Sequence, residues 1–599
     1  MKLNKKVATG FVLAASGMLF FTACNDSFLD RYPETSITEK VFFTSVKDLE
    51  TYTNNLYNLG SSYSDIVSDN IVYSDENGIY SLMRGELTPT KAGGWGWGSI
   101  RSINFMLART RQVKGDPAEI NHYIGLARLF RAIDYYGKVE TYSDVPWYNR
   151  DLQTTDIEEL YKTQDPRTLV VDSIMQDLDF AVKHIKTGSS KTRVHKYAAL
   201  AVQARIALKE GTFRKYHPEL NLNDGDKFLN IAITATNQII NDGRYSLVKT
   251  KQGTLDAYTS LFSSLDLTNC SEMIMIDDYD KQLGRKHGAG SLFNYTHTIS
   301  RDLMEDYLAM KDGKAVPFHE ISGYDKMTVL EVFDNRDPRM EQTLMKPGFT
   351  KPGDAKPSRQ KLDLCGYPQI KFAPTTYDQW PWGEAYEDLP IIRYAEILLI
   401  NAEAKAELGI LTQEDVDKTI NELRDRVHMP KANLQEWLTK IDPVQEKRYA
   451  NVKSSQKGAV LEIRRERRIE MACEGVRYND LMRWACGKLM EKAPEGIYIP
   501  RWGAYDLTGD GIADAVIAET EAQIKEIKAG LPEEVSKEVT SYQLDKANIH
   551  LTEGDHGYLR MNVQVGRWTF VEPKYYYRPI AQSDINVNGK LVQNKFWRD

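Results

Sequence analysis

Residues 461–484 read LEIRRERRIEMACEGVRYNDLMRW, and the spacing of their charges sets how the rest of the chain is read. Glu466, Glu470 and Glu474 stand at i, i+4 and i+8, which places them on one face of a helix. Arg464, Arg467 and Arg468 neighbour them at three- and four-residue spacings. The pattern predicts a helix over about 456–474 and a second over 477–488. A functional reading would be a catalytic acid cluster or an anion site. The preferred reading is a charge-paired helix locked against its neighbours. FDNRDPRM, 333–340, is read the same way: Asp334, Arg336, Asp337 and Arg339 are expected to form ion pairs that clamp an irregular region onto the helices.

Outward from this stretch, the 3.6-residue period predicts further amphipathic helices. They fall over about 36–60, 98–114, 117–138, 166–187, 193–211, 226–241, 391–409 and 413–427. Asp165-Pro166 puts a proline at a helix start, and Gly409 supplies a stop after the run Ile391–Leu408. Paired helices before 242 suggest stacked helix-turn-helix units. No clean 34-residue repeat is present, so a tetratricopeptide-like array would be degenerate. From 243 to 390 the chain is rich in Gly, Pro, Thr and Tyr, with short strand-like pieces such as EMIMID, 272–277. This stretch is expected to be a loop-rich binding region. After 490 it is irregular again and ends in strand-like pieces around 559–578. The expected organisation is therefore 1–23, 24–242, 243–390 and 391–599. The fold class is mainly α, with helix pairs supporting a loop-rich region that carries a few short strands.

The N-terminus reads MKLNKKVATGFVLAASGMLFFTACND. Lys2, Lys5 and Lys6 precede an apolar run that is too short to span a bilayer. Small residues then lead to Cys24. That order is a secretory signal peptide over 1–23, with Cys24 as the expected acylated residue, because Phe21-Thr22-Ala23-Cys24 is a relaxed lipobox. Several acyl chains on one anchor give stable membrane attachment. No later run is long enough to cross a membrane. The formal charge is −7, and loss of the signal lysines makes the remainder more acidic. This argues against nucleic acid as a partner. Cys270, Cys365, Cys473 and Cys486 are too widely spaced for a metal site and are expected to be free, buried thiols. The chain has 33 Tyr and 10 Trp against 19 Phe, a balance that suits ligands with apolar faces and polar rims.

Four segments resemble the SusD/RagB family of surface nutrient-binding lipoproteins. They are ARLFRAIDYYGKVETYSDVPW (127–147), DYLAMKDGKAV (306–316) with FDNRDPRM, LPIIRYAEILLINAEAKAELG (389–409), and the opening stretch 461–484. The resemblance implies tetratricopeptide-like helix pairs and a non-catalytic role in capturing oligosaccharides or, in some members, peptides. It also implies an outer-membrane, cell-surface position as a lid on a SusC-like TonB-dependent transporter. No Gly-x-Ser-x-Gly elbow, His-Glu-x-x-His helix or Walker loop opposes this.

The first candidate ligand residues are Trp95 and Trp97 in GGWGWGS, 93–99, where glycines frame two rings ahead of a helix. Trp380 and Trp382, flanking Pro381 in YDQWPWGEAYED, are the second, read as exposed. Asp75 and Glu76 with Tyr73 and Tyr80 offer carboxylates beside rings for sugar hydroxyls. Tyr295 and Arg393 complete the set, although Arg393 would serve equally as a structural ion-pair partner. No cofactor is required.

DLTGDGIAD, 506–514, is read as a structural calcium loop. Asp506, Thr508 and Asp510 stand at positions 1, 3 and 5, the Ile512 carbonyl at 7 and Asp514 at 9. It resembles the nine-residue loops of integrin-type repeats and departs from an EF-hand in having Ile517 at position 12. Its alternative is an Asp/Gly-rich turn without metal. The functional alternatives to glycan capture are a peptide-capturing member of the same family, a surface glycoside hydrolase, which needs two carboxylates about 5 to 10 Å apart, and a scaffold with no small ligand.

Overall fold

A computed structural model describes residues 42–73, 78–249, 257–294, 297–562 and 568–598. Cys24 and the N-terminal leader therefore lie outside the described residues, as do Asp75, Glu76 and Tyr295. The chain is mainly helical, with 45% helix and 10% strand. No helix among the described residues is long and apolar enough to cross a membrane.

Nine helices carry the argument: α1 (Val46–Asn54), α2 (Gly98–Arg109), α3 (Pro117–Tyr142), α4 (Arg167–His184), α5 (Lys196–Tyr216), α6 (Gly225–Asp242), α7 (Tyr394–Leu408), α8 (Lys457–Glu470) and α9 (Arg477–Arg483). The Asp116 side chain accepts the Ala118 N–H and Pro117 opens α3, which satisfies an otherwise orphaned donor. Gly409 closes α7 in the left-handed region at φ +73, where a side chain would be strained. The helix expected over 413–427 is two short helices, Gln413–Lys418 and Ile420–Arg426, broken at Thr419. The expected 36–60 helix is described only as α1, nine residues long.

The long helices stack as neighbours in the order α3, α4, α5, α6, α7, α8. This is the helix-pair array that the periodicity predicts. The α5–α6 crossing is glycine on glycine: a Cβ on Gly211 of α5 would lie 2.9 Å from the Gly225 carbonyl oxygen at the start of α6. The core is continuous across the expected segment boundaries. Ile397 and Ile400 of α7, with Ile580 and Leu591 near the C-terminus, share one cluster with Phe130 and Leu200. Strand Met273–Asp277, expected from EMIMID, pairs antiparallel with Leu389–Arg393. The residues just before α7 are thus strand rather than the first turn of the helix. Near the C-terminus, Gly557–Met561 is a strand between Ile549–Leu551 and Tyr498–Ile499. Lys574–Tyr576, expected to be strand-like, is a 3-10 turn.

α8 is buried along most of its length in spite of its charge. Arg464, Glu466 and Glu470 have no exposed surface, so every ionised group needs a partner. Arg339 lies 3.0 Å from Glu466 and 2.6 Å from Asp337. Glu470 is met by Arg393 at 2.7 Å, by Arg339 at 3.3 Å and by Arg426. Burial pushes the Glu470 carboxyl up, but Arg426, Arg393 and Arg339 together hold it well below the usual range. Residues 337–339 are thereby clamped onto α8. Two of the four expected partners differ: Asp334 is exposed and forms no ion pair among the described residues, and Arg336 donates to the carbonyls of Met304, Tyr307 and Val332 and lies 3.6 Å over the Phe318 ring. Cys365, Cys473 and Cys486 are buried free thiols, and Cys270 is a half-buried one.

Candidate functional site

A cleft of about 1080 Å³ opens where the stretches 61–67, 79–93, 475–478 and 578–579 meet Thr141 at the end of α3. Ser61, Ser62, Tyr63 and Ser64 form one wall. That wall is fixed from behind. The Ser61 N–H donates to Asp277 at 2.8 Å, and the Tyr63 carbonyl accepts from Gln369 at 3.0 Å. Asp65 is buried and accepts from Asn70, from the Cys473 N–H at 2.8 Å and from the Gly475 N–H at 3.0 Å. Burial pushes the Asp65 carboxyl up, against these donors, which pull it down. Gly475 has φ +74, and a Cβ there would lie 2.4 Å from the Ser62 hydroxyl. A glycine is therefore needed for the serine wall to close on the loop between α8 and α9.

Across the cleft, Tyr478 of α9 accepts a hydrogen bond from Arg578 at 2.8 Å. Arg578 also donates to the Tyr575 carbonyl, and its backbone N–H donates to Thr141 at the end of α3. Asp65 and Glu86 are the only carboxylates among the described residues lining the cleft. Asp65 is committed to its three donors, and Glu86 is held by Arg84 at 2.7 Å. A wall of hydroxyls and two tyrosines can receive a polyhydroxylated ligand by hydrogen bonds and ring contacts.

The expected residues fall in different places. Trp95 and Trp97 are half-buried members of an aromatic cluster. Their rings lie 5.4 Å apart; Trp95 meets Tyr142 at 4.9 Å and Trp97 meets Tyr148 at 5.3 Å, with Lys138 over Trp97 at 4.6 Å. Trp97 lines a small apolar depression of about 210 Å³ with Ile100, Tyr148 and Leu160, which is separate from the main cleft. The Tyr142 hydroxyl donates to the Gly93 carbonyl at 2.8 Å, so the glycine frame borders the cleft even though the rings do not line it.

The Trp380–Trp382 pair splits. Trp382 is 69% exposed, but Trp380 is 2% exposed and packs in a small cluster with Met345. The expectation that both are exposed is corrected: one step past the turn at Tyr377–Gln379, Trp380 faces inward. Arg393 is corrected as well. At 1% exposure it is committed to Glu272, Glu470 and Glu474 and cannot reach a ligand. Tyr73 is half-buried on strand Ile71–Tyr73, opposite His297. Tyr80 is buried, stacked on Trp568 at 4.5 Å. The Trp382 loop reaches the cleft through His287, whose N–H donates to the Ala385 carbonyl and whose ring lies 5.9 Å from Tyr63.

The 506–514 loop closes on itself. Asp506 accepts from the N–H groups of Thr508, Gly509 and Gly511 through both oxygens. Asp514 accepts from Leu507 and Thr508 through one oxygen and faces Arg359 at 3.1 Å with the other. Asp510 accepts from the Ile512 N–H. An arginine on the position-9 carboxylate stands where a cation would need that charge. Among the described residues, no group of three or more His, Cys, Asp or Glu side chains is arranged to hold a metal ion. The expected ligand set Asp506, Thr508, Asp510, Ile512 and Asp514 thus does not form a ready calcium site.

Sequence reasoning missed Ser61–Ser64, Tyr63, Tyr478 and Arg578. The doublet Ser61-Ser62 ahead of Tyr63 was the one local signal; the rest depends on which distant stretches meet.

The SusD family model matches residues 271–597. This chain belongs to the SusD family. Among relatives, this SusD-family chain is 22% identical over 516 residues to the SusD-like protein P38 of Formosa agariphila, covering 81% of this chain and 92% of that protein. Two solved structures from Bacteroides fragilis share its fold. A SusD-like carbohydrate binding protein superposes with a TM-score of 0.64 at 20% identity, over 92% of this chain and 100% of its own. A SusD-like protein superposes with a TM-score of 0.66 at 18% identity, over 94% and 100%.

Proposed function

We propose that this SusD-family protein captures an oligo- or polysaccharide at the cell surface and delivers it to a SusC-like TonB-dependent outer-membrane transporter, without catalysing a reaction. After removal of 1–23, an acylated Cys24 would tether it to the outer membrane. The observation that carries this reading is the 1080 Å³ cleft walled by Ser61–Ser64, Tyr63 and Tyr478, with the exposed Trp382 on a neighbouring loop. The solved SusD-like carbohydrate binding protein of the same fold supports it. The cleft carboxylates speak for binding rather than hydrolysis, because Asp65 is saturated by donors and Glu86 is paired with Arg84. A hydrolase needs one free acid and one free base or nucleophile.

Affinity electrophoresis across soluble polysaccharides tests the reading, with Tyr63→Ala and Trp382→Ala beside the parent. At least one glycan should retard the parent, and Tyr63→Ala should weaken that retardation by about tenfold, the loss of roughly one ring contact with its hydrogen bonds. A parent that no glycan retards, or that releases new reducing ends from the retarding glycan, overturns it.

A further inference from the structure

Positive charge exceeds negative charge with free capacity at the cleft: Arg578 has no carboxylate partner among the described residues, and Lys91 shares a single acid, Glu86, with Arg84. Buried guanidinium groups such as Arg393 with Glu272, Glu470 and Glu474, Arg483 with Glu403 and Asp480, and Arg167 with Glu210 meet carboxylates, whereas Arg336 is held by carbonyls. Arg578 meets a neutral hydroxyl and a carbonyl, at 2.8 Å and 2.9 Å. No ion pair of Arg578 is found among the described residues. Those two bonds use part of a five-donor fork and fix its plane, so the remaining donors are pre-oriented rather than mobile. Lys91, which also lines the cleft, is exposed. The nearby acid, Glu86, is already taken by Arg84. Asp65 lies behind the serine wall with its oxygens spent on Asn70, Cys473 and Gly475.

A planar guanidinium held in place and lacking a counter-ion suits a planar or trigonal oxyanion, which it can engage through two parallel N–H bonds. Ser61 and Ser62 line the same cavity, and the Ser62 hydroxyl donates to the Ser64 carbonyl. The formal charge of the whole chain is −7 and would repel an anion at long range. Screening over about 8 Å at physiological salt leaves the decision to the local groups.

We propose that the cleft selects an anionic glycan, one bearing carboxylate or sulfate-ester groups, and that Arg578, assisted by Lys91, receives the charged group. This rests on the glycan-capture reading and narrows it. Uronate and sulfate present the same oxyanion chemistry to Arg578, and two matched probe pairs separate them. Polygalacturonate is compared with its fully methyl-esterified form, and dextran sulfate with dextran. Each is tested by isothermal titration against the parent, Arg578→Gln, Arg578→Lys and Lys91→Ala, alongside a neutral polysaccharide panel.

At least one charged probe should bind the parent while its neutral counterpart does not. Arg578→Gln should weaken that binding by about tenfold or more, Arg578→Lys should restore part of it, and Lys91→Ala should weaken it by about threefold. Affinity should fall as salt rises. Parent binding of a neutral polysaccharide with no binding of either charged probe overturns the inference and leaves glycan capture standing. Charged-probe binding that is unchanged in both Arg578→Gln and Lys91→Ala overturns the assignment of these residues. A parent that binds neither charged nor neutral glycan overturns the broader reading together with this one. Should Arg578→Gln fail to fold, Lys91→Ala, on an exposed side chain, and the salt dependence still decide.

Discussion

At the residue scale, Glu387 lies at the base of the Trp382 loop with 1% of its surface exposed. Neither carboxylate oxygen has a well-formed hydrogen bond. Its nearest ionisable neighbour is His287, whose ring nitrogen is 3.7 Å from the carboxylate and 2.9 Å from the Glu387 carbonyl. Burial pushes the Glu387 carboxyl up to about 7 and pushes His287 down, so both favour their neutral forms. Asp378 adds to the rise in Glu387. Because the folded-state pKa lies above the unfolded value, the folded protein binds the extra proton. The stability this contributes is complete below the unfolded pKa and is lost as pH rises through about 7. Glu387→Gln should therefore stabilise the fold at pH 8 by on the order of 2 kcal/mol, read as a higher melting temperature, and change little at pH 5. Thermal melts of both proteins from pH 5 to 8 check this; a variant whose melting temperature tracks the parent across the range sinks it.

At the scale of elements, the α5–α6 crossing depends on having no side chain at Gly211. The atoms a Cβ would meet are the Gly225 carbonyl at 2.9 Å and the Leu229 side chain. A carbonyl inside a packed helix pair cannot move without shifting α6. Gly211→Ala would gain up to about 1 kcal/mol of helix propensity but suffer an overpacking cost of about 1–3 kcal/mol. The net effect should be a loss of about 1–2 kcal/mol, read from urea unfolding midpoints. A stabilised variant would mean that the helices separate more easily than this packing allows. α8 illustrates how local spacing becomes structure. Glu466 and Glu470 share a face of α8, which ends at Glu470, whereas Glu474 lies in the turn beyond it. What makes them structural is that Arg339, Arg393, and Arg424 with Arg426 arrive from three other segments to meet them.

At the scale of the whole molecule, strand pairing holds the C-terminal segment. Strand Ala515–Ala518 lies between Gly503–Tyr505 and Thr540–Gln543, and the 506–514 turn joins two of these strands with its own carboxylates on its own N–H groups. Excess EDTA should leave the melting temperature within about 1 °C of the untreated value, since the turn meets its carboxylates with its own N–H groups. A fall of several degrees, reversed by calcium, would show that a cation displaces Arg359 from Asp514.

The sequence by itself determined most of the long helices, the stop at Gly409 and the family pattern, but not the break at Thr419 or the ends of α8 and α9. Periodicity, a proline at Pro166 and a glycine at Gly409 are local properties, and the 389–409 and 461–484 segments carry the family pattern. It also determined that the charges of α8 would be paired, because no ionised group can be buried alone. Only the tertiary structure decided which aromatic rings remain outside. Trp380 and Trp382 share one loop and one local composition, yet they differ from 2% to 69% in exposure. Met345, which covers Trp380, lies far from it in sequence. The cleft was hidden for the same reason. Ser61, Tyr478 and Arg578 belong to stretches hundreds of residues apart, and they meet only because stacked helices, Gly475 and the buried Asp65 bring those stretches to one place.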